Sequence, residues 1–121
     1  MRRLLGLLVL SLLAAVLAPG LASASTLPEC QAKLDALVVQ TDAAAFTGPK
    51  AETDRAGLLV KLADARAKLG EGKVADATVK LVQFRDKVAA LAAAGKLDAA
   101  AASELQAGAD DALACFAALG T

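Results

Sequence analysis

The sequence predicts an all-α fold: a small four-helix up-down-up-down bundle with one disulfide joining the start of the first helix to the end of the fourth. Three observations predict it. Apolar residues recur at three- and four-residue spacing through nearly everything after Pro28, and the apolar–polar alternation of a half-buried strand appears nowhere. The links after the second and third segments are short, which makes those neighbours antiparallel. Cys30 and Cys115 fall near opposite ends of the helical region, and in an up-down-up-down array those two ends share a pole.

The first segment starts at Pro28, a favourable residue in a first turn, and aligns Cys30, Leu34, Leu37, Val38, Thr41 and Ala45 on one face before Thr47-Gly48-Pro49 stops it. The second begins near Thr53-Asp54, either of which can cap, and places Leu58, Leu62, Ala65 and Leu69 on its stripe. Gly70 is expected to end it in the left-handed conformation. The third carries Val74, Ala77, Leu81, Phe84, Val88 and Leu91 and ends at Gly95, the most regular amphipathic pattern in the chain. The fourth opens on Asp98 as N-cap, with Leu97 just outside it, and runs through Ala102, Leu105, Ala109, Ala112, Leu113 and Phe116.

Residues 1–24 read as a signal peptide. Arg2-Arg3 precede an apolar run from Leu4 to Ala18, Pro19-Gly20 break it, and Ala22-Ser23-Ala24 form a small-residue cleavage site. The competing reading is a membrane anchor, but the run falls short of the roughly 20 residues a bilayer span needs. Cleavage leaves residues 25–121 as a single helical domain in a secreted or extracytoplasmic compartment, with no membrane span. Removing Arg2 and Arg3 shifts an even balance of 13 basic and 13 acidic residues to two net negative charges, spread along the chain without blocks. Nucleic acid is not expected as a partner, because phosphate neutralisation needs a clustered basic face.

Large side chains are few in the mature chain, which holds three phenylalanines and no Trp, Tyr or Ile, so a covalent constraint would help the fold. Export delivers Cys30 and Cys115 to an oxidising space, where one structural bridge is the expected state. Two free buried thiols, or pairing between molecules, are the alternatives.

The chain contains no histidine, which removes the commonest general base and metal ligand. Two cysteines alone cannot complete a structural zinc site, and no metal or cofactor is expected. Asp110-Asp111 point about 100° apart on a helix, and Glu104 and Asp111 stand roughly 10 Å apart along the axis, so neither pair converges on one ion. Ser103 lacks a partner base beyond an unplaced lysine. Gly70-Glu71-Gly72-Lys73 lacks the strand and hydroxyl residue of a phosphate-binding loop and reads as a helix–helix turn. Glu29 with Lys33, Asp64 with Lys68 and Asp76 with Lys80 fall at i,i+4 and read as solvent-facing supports. No catalytic residue emerges, and an enzyme is not expected.

Val39, Val60, Val79 and Val82 lie off the main apolar stripes. Each helix of a bundle touches two neighbours and uses a wider stripe, which accounts for them structurally; the alternative is an exposed patch for a partner or for weak self-association.

From Leu58 onward the spacing resembles the FIMAH domains, small helical modules attached to secreted bacterial enzymes and surface proteins. The resemblance rests on Leu58, Lys61-Leu62, Ala65, Leu69, Gly72, Ala77, Leu81, Phe84, Val88, Leu91, Gly95-Lys96-Leu97, Ala102 and Leu105, within about residues 53–117. Asp98 stands where the family tends to have Ser or Thr. The resemblance implies a non-catalytic accessory module. The expected function is therefore docking to an unidentified protein or cell-surface partner, with a small apolar-ligand carrier or protein inhibitor as the alternative. N-terminal sequencing of the exported protein should return Ser25-Thr26-Leu27; a blocked or intact Met1 terminus would support the anchor instead.

Overall fold

Local chemistry sets the limits of each helix in the computed structural model, which describes residues 25–119: α1 (Leu27–Ala43), α2 (Ala51–Gly70), α3 (Val74–Ala93) and α4 (Ala99–Leu119). The leader assigned to residues 1–24 lies outside the described residues. Helix α1 starts one residue ahead of Pro28 because Thr26 forms a capping box. The Glu29 N–H donates to Thr26 Oγ1 at 3.3 Å and the Thr26 N–H donates to Glu29 Oε1 at 2.9 Å. At its other end Ala44, not Ala45, reaches the core; Ala45 is exposed in the link.

Helix α2 begins at Ala51, so Thr53 and Asp54 lie within its first turn and cap nothing. Its acidic opening, Glu52 and Asp54, instead complements the positive end of the helix dipole. At its end Gly70 is still helical, and the left-handed residue is Gly72 at φ +81°. The Lys73 N–H then reaches back to the Lys68 carbonyl at 2.9 Å, and the same arrangement recurs at Gly95, where the Lys96 N–H reaches the Leu91 carbonyl at 2.9 Å. Helix α4 is capped as expected, with Asp98 Oδ2 accepting from the Ala101 N–H at 3.0 Å.

The helices pack in a ring, α1 on α2, α2 on α3, α3 on α4 and α4 on α1, so α1 lies diagonally across from α3. The sequence stripes are the buried faces: Leu34 and Leu37, Leu58 and Leu62, Leu81 and Phe84, Leu105 and Phe116 are essentially inaccessible. Each such side chain contributes roughly 1.5–3 kcal/mol when fully buried. Leu113 and Val38 sit at the margin of this core, half-buried. Thr41 is the one fully buried polar side chain among the described residues, and its Oγ1 has no hydrogen-bond partner.

Both poles of the bundle are closed. At one, Cys30 Sγ and Cys115 Sγ are bonded at 2.06 Å with their Cα atoms 5.6 Å apart, joining the start of α1 to the end of α4. At the other, the α1–α2 and α3–α4 links pair as a short antiparallel bridge between Phe46 and Leu97. The Thr47 N–H donates to the Lys96 carbonyl at 3.0 Å, the Asp98 N–H to the Ala45 carbonyl at 3.1 Å, and Thr47 Oγ1 to the Gly95 carbonyl at 3.1 Å. Arg55 covers this clasp, its guanidinium 4.9 Å from the Phe46 ring centre and donating to the Ala44 carbonyl at 3.0 Å.

The expected i,i+4 ion pairs do not form. Lys33 pairs across to Asp111 on α4 at 2.7 Å, while Asp64–Lys68 and Asp76–Lys80 do not close. Further cross-helix pairs join Arg66 to Asp35 at 3.2 Å and Arg85 to Asp110 at 3.0 Å. Long basic side chains reach a neighbouring helix as easily as the next turn of their own. All these groups are substantially exposed, so each pair is worth at most about 1 kcal/mol.

Replacing both cysteines by serine should lower stability by roughly 2–5 kcal/mol, read as a shift in the urea midpoint, because the bridge closes a loop whose ends are 85 residues apart. Equal midpoints for the oxidised protein and the double variant would contradict this.

Candidate functional site

The buried stripes of the four helices meet in one core cluster, and the concave surfaces described here are open ones between neighbouring helices. The longest follows the α1/α4 seam. One part, about 650 Å³, is lined by Ser25, Glu29, Ala32, Lys33, Ala36, Leu37, Gln40, Gly108 and Asp111. A second part, about 340 Å³, continues from Gln40 toward the loop pole between Val39 and Ala43–Ala45 on one side and Ala101, Glu104 and Leu105 on the other. The two share Gln40 and lie one after the other along the seam, with the Lys33–Asp111 ion pair crossing the first.

Sequence explains why the seam is grooved. Ala32, Ala36, Ala43, Ala101 and Gly108 stand among the positions of α1 and α4 that flank the buried stripes, so the helix shoulders are narrow there. Gly108 also sets how closely the helices approach. A Cβ built there would lie 2.7 Å from Leu37 Cδ2 and 3.3 Å from Gln40 Oε1. Periodicity alone could not single out Gly108, because its role depends on the side chain of another helix.

The second concavity, about 500 Å³, lies on the α2/α3 seam between Gly57, Lys61, Gln83, Asp86 and Lys87, where Lys61 Nζ donates to Gln83 Oε1 at 3.1 Å.

The four valines do not form one surface. Val39, Val60 and Val79 are 68%, 55% and 52% exposed, and Val82 is half-buried. Taking 100° per residue, Val39 and Val60 stand nearly opposite the buried stripes of their own helices. Val39 belongs to the edge of the α1/α4 groove, diagonally across the ring from Val79 on α3. Val60 and Val79 lie on adjacent helices, beside Lys61 and one turn from Gln83 respectively.

Charge that is dispersed along the chain is sided in three dimensions. Helices α1 and α4 together hold Glu29, Asp35, Asp42, Glu104, Asp110 and Asp111 against a single basic residue, Lys33. Helices α2 and α3 hold seven basic residues against five acidic ones. Asp35 and Asp110 are turned to the flanks, where they meet Arg66 and Arg85. On the groove itself Asp111 is paired with Lys33, Glu29 accepts from the capped end of α1, and Glu104 has no charged partner.

Among the described residues, no three Cys, Asp or Glu side chains gather as they would around a metal ion. No described helix is long and apolar enough to cross a membrane. No protein-family model, curated protein or solved structure matches the chain.

Gly108→Val should destabilise the protein by about 1–3 kcal/mol, since the branched side chain must displace Leu37 from the core. Thermal unfolding monitored by far-UV circular dichroism checks it; an unchanged or raised Tm would show that the seam has slack.

Proposed function

We propose that this protein is a non-catalytic helical interaction module that docks to a protein partner outside the cytoplasm. The observation that carries the reading is the contrast between the buried core side chains and the valines exposed on outer helix faces. Phe84 and Phe116 are fully buried at the centre, whereas Val39, Val60 and Val79 are each more than half exposed. A solvated helix surface gains nothing from valine, which is a poorer helix former than alanine and leaves apolar area in water. A carrier of apolar ligands would hold an enclosed volume within the bundle, and the volumes described here are open ones between neighbouring helices.

Supporting the compartment, residues 1–24 read as an export leader and Cys30 and Cys115 are joined in a disulfide. The likeness of residues 58–105 to FIMAH modules points the same way, toward an accessory role.

The test is paired substitution. Val60→Glu with Val79→Glu should preserve helical content and weaken capture of the partner from the native extracytoplasmic fraction by at least about tenfold, an effect of about 1.4 kcal/mol. Unaltered capture by a correctly folded double variant would show that these valines serve only the bundle.

A further inference from the structure

We infer that the α2/α3 face carrying Val60 and Val79 docks a second copy of this chain, in a weak dimer whose two-fold axis runs along the α2/α3 seam; the inference rests on the docking function proposed above and names its partner. The face is mixed. Val60 and Val79, each more than half exposed, stand among Lys61, Asp64 and Lys68 on α2 and Asp76, Lys80 and Asp86 on α3, all exposed or half-buried. Among the described residues, none of these six charged groups closes an ion pair, whereas the arginines at the flanks of the same helices do, Arg66 with Asp35 and Arg85 with Asp110. Three lysines and three carboxylates are therefore left for whatever covers the face.

Register selects the occupant. The chain reverses about Gly72, and the Lys61–Gln83 hydrogen bond, with the concavity shared by Gly57 and Lys87, fixes which positions of α2 and α3 are level. Counting onward from Lys61 and back from Gln83 puts Asp64 level with Lys80 and Lys68 level with Asp76. Charge thus alternates along each helix and is opposite across the seam at both levels. A two-fold axis along the seam lays α2 of each copy on α3 of the other without changing level. Asp64 of one copy then meets Lys80 of the other and Lys68 meets Asp76, each contact made twice, with the valines of both copies packed beside them. A partner surface of one charge sign would be repelled by half of the six groups. With residues 1–24 removed the chain carries only two net negative charges, so little general repulsion opposes a second copy. A face two helices wide and about three turns long buries less than the roughly 1,200 Å² of a standard interface, which makes the dimer reversible.

The test is charge exchange, with protein expressed from the full sequence in an exporting bacterial host. Sedimentation velocity from about 20 µM to about 1 mM should show a monomer giving way to a dimer as concentration rises, at an ionic strength low enough to leave surface charges effective. Asp64→Lys and Lys80→Asp should each weaken the dimer at least tenfold, because each sets like charges against one another in both contacts. An equimolar mixture of the two variants should recover association to within about threefold of the parent, since each supplies the charge that the other lacks. Val79→Glu should also weaken the dimer at least tenfold, and far-UV circular dichroism confirms that every variant keeps its helices. The inference is overturned by a monomer throughout the range, by a dimer that neither charge reversal disturbs, or by a mixture that associates no better than its components. Those results leave docking to a different protein standing, which the capture experiment with the Val60 and Val79 double variant decides separately.

Discussion

The contact between the first and last helices is the constraint on which the architecture depends. Helices α2 and α3 are joined by a three-residue link and meet as soon as they form. Helices α1 and α4 must find one another across a loop whose cysteines are 85 residues apart. Loop closure over that distance is an entropic cost that the α1/α4 seam, with its narrow alanine shoulders, is poorly placed to offset by apolar burial alone. The Cys30–Cys115 bridge fixes one end of the seam and the Phe46–Leu97 bridge, with Arg55 laid over it, registers the opposite pole. Between them Gly108 lets α4 settle against Leu37.

The same seam shapes the outer surface. Small side chains that permit close packing also leave a furrow on the outer surface, because two narrow shoulders cannot fill the valley between two cylinders. The α1/α4 half is rich in acids for a topological reason. The chain's acids outnumber its bases in α1 and α4 only, and these helices are sequence-distant but spatially adjacent. A distribution that looks even along the chain thereby becomes a face.

Elements governed by local periodicity were legible in the sequence. The buried stripes, the cap at Asp98, the antiparallel order and the pairing of the cysteines all follow from residue spacing and link length. What was misread depended on competition between neighbouring groups. Thr26 and Glu29 outcompeted Pro28 as the marker of the α1 start, and Gly72 rather than Gly70 took the left-handed turn because the chain needed two further residues to reverse. Lys33, expected to brace its own helix, reached across to Asp111 on α4, and Lys68 and Lys80 closed no pair within theirs. The candidate site was legible only in pieces. The valines could be picked out as off-stripe, but their division between the α1/α4 and α2/α3 sides depends on which helices are neighbours. The groove and the role of Gly108 arise from the meeting of two distant segments, which no single-helix pattern encodes.

Hydrogen exchange of the folded protein, compared before and after reduction under native conditions, tests the central claim most directly. If the bridge is what secures α1 to α4, reduction should accelerate exchange at Leu34, Leu37, Ala109 and Ala112 while Leu62 and Leu81 in the α2–α3 hairpin keep most of their protection. Equal loss of protection in all four helices, or loss beginning in α2 and α3, would contradict it.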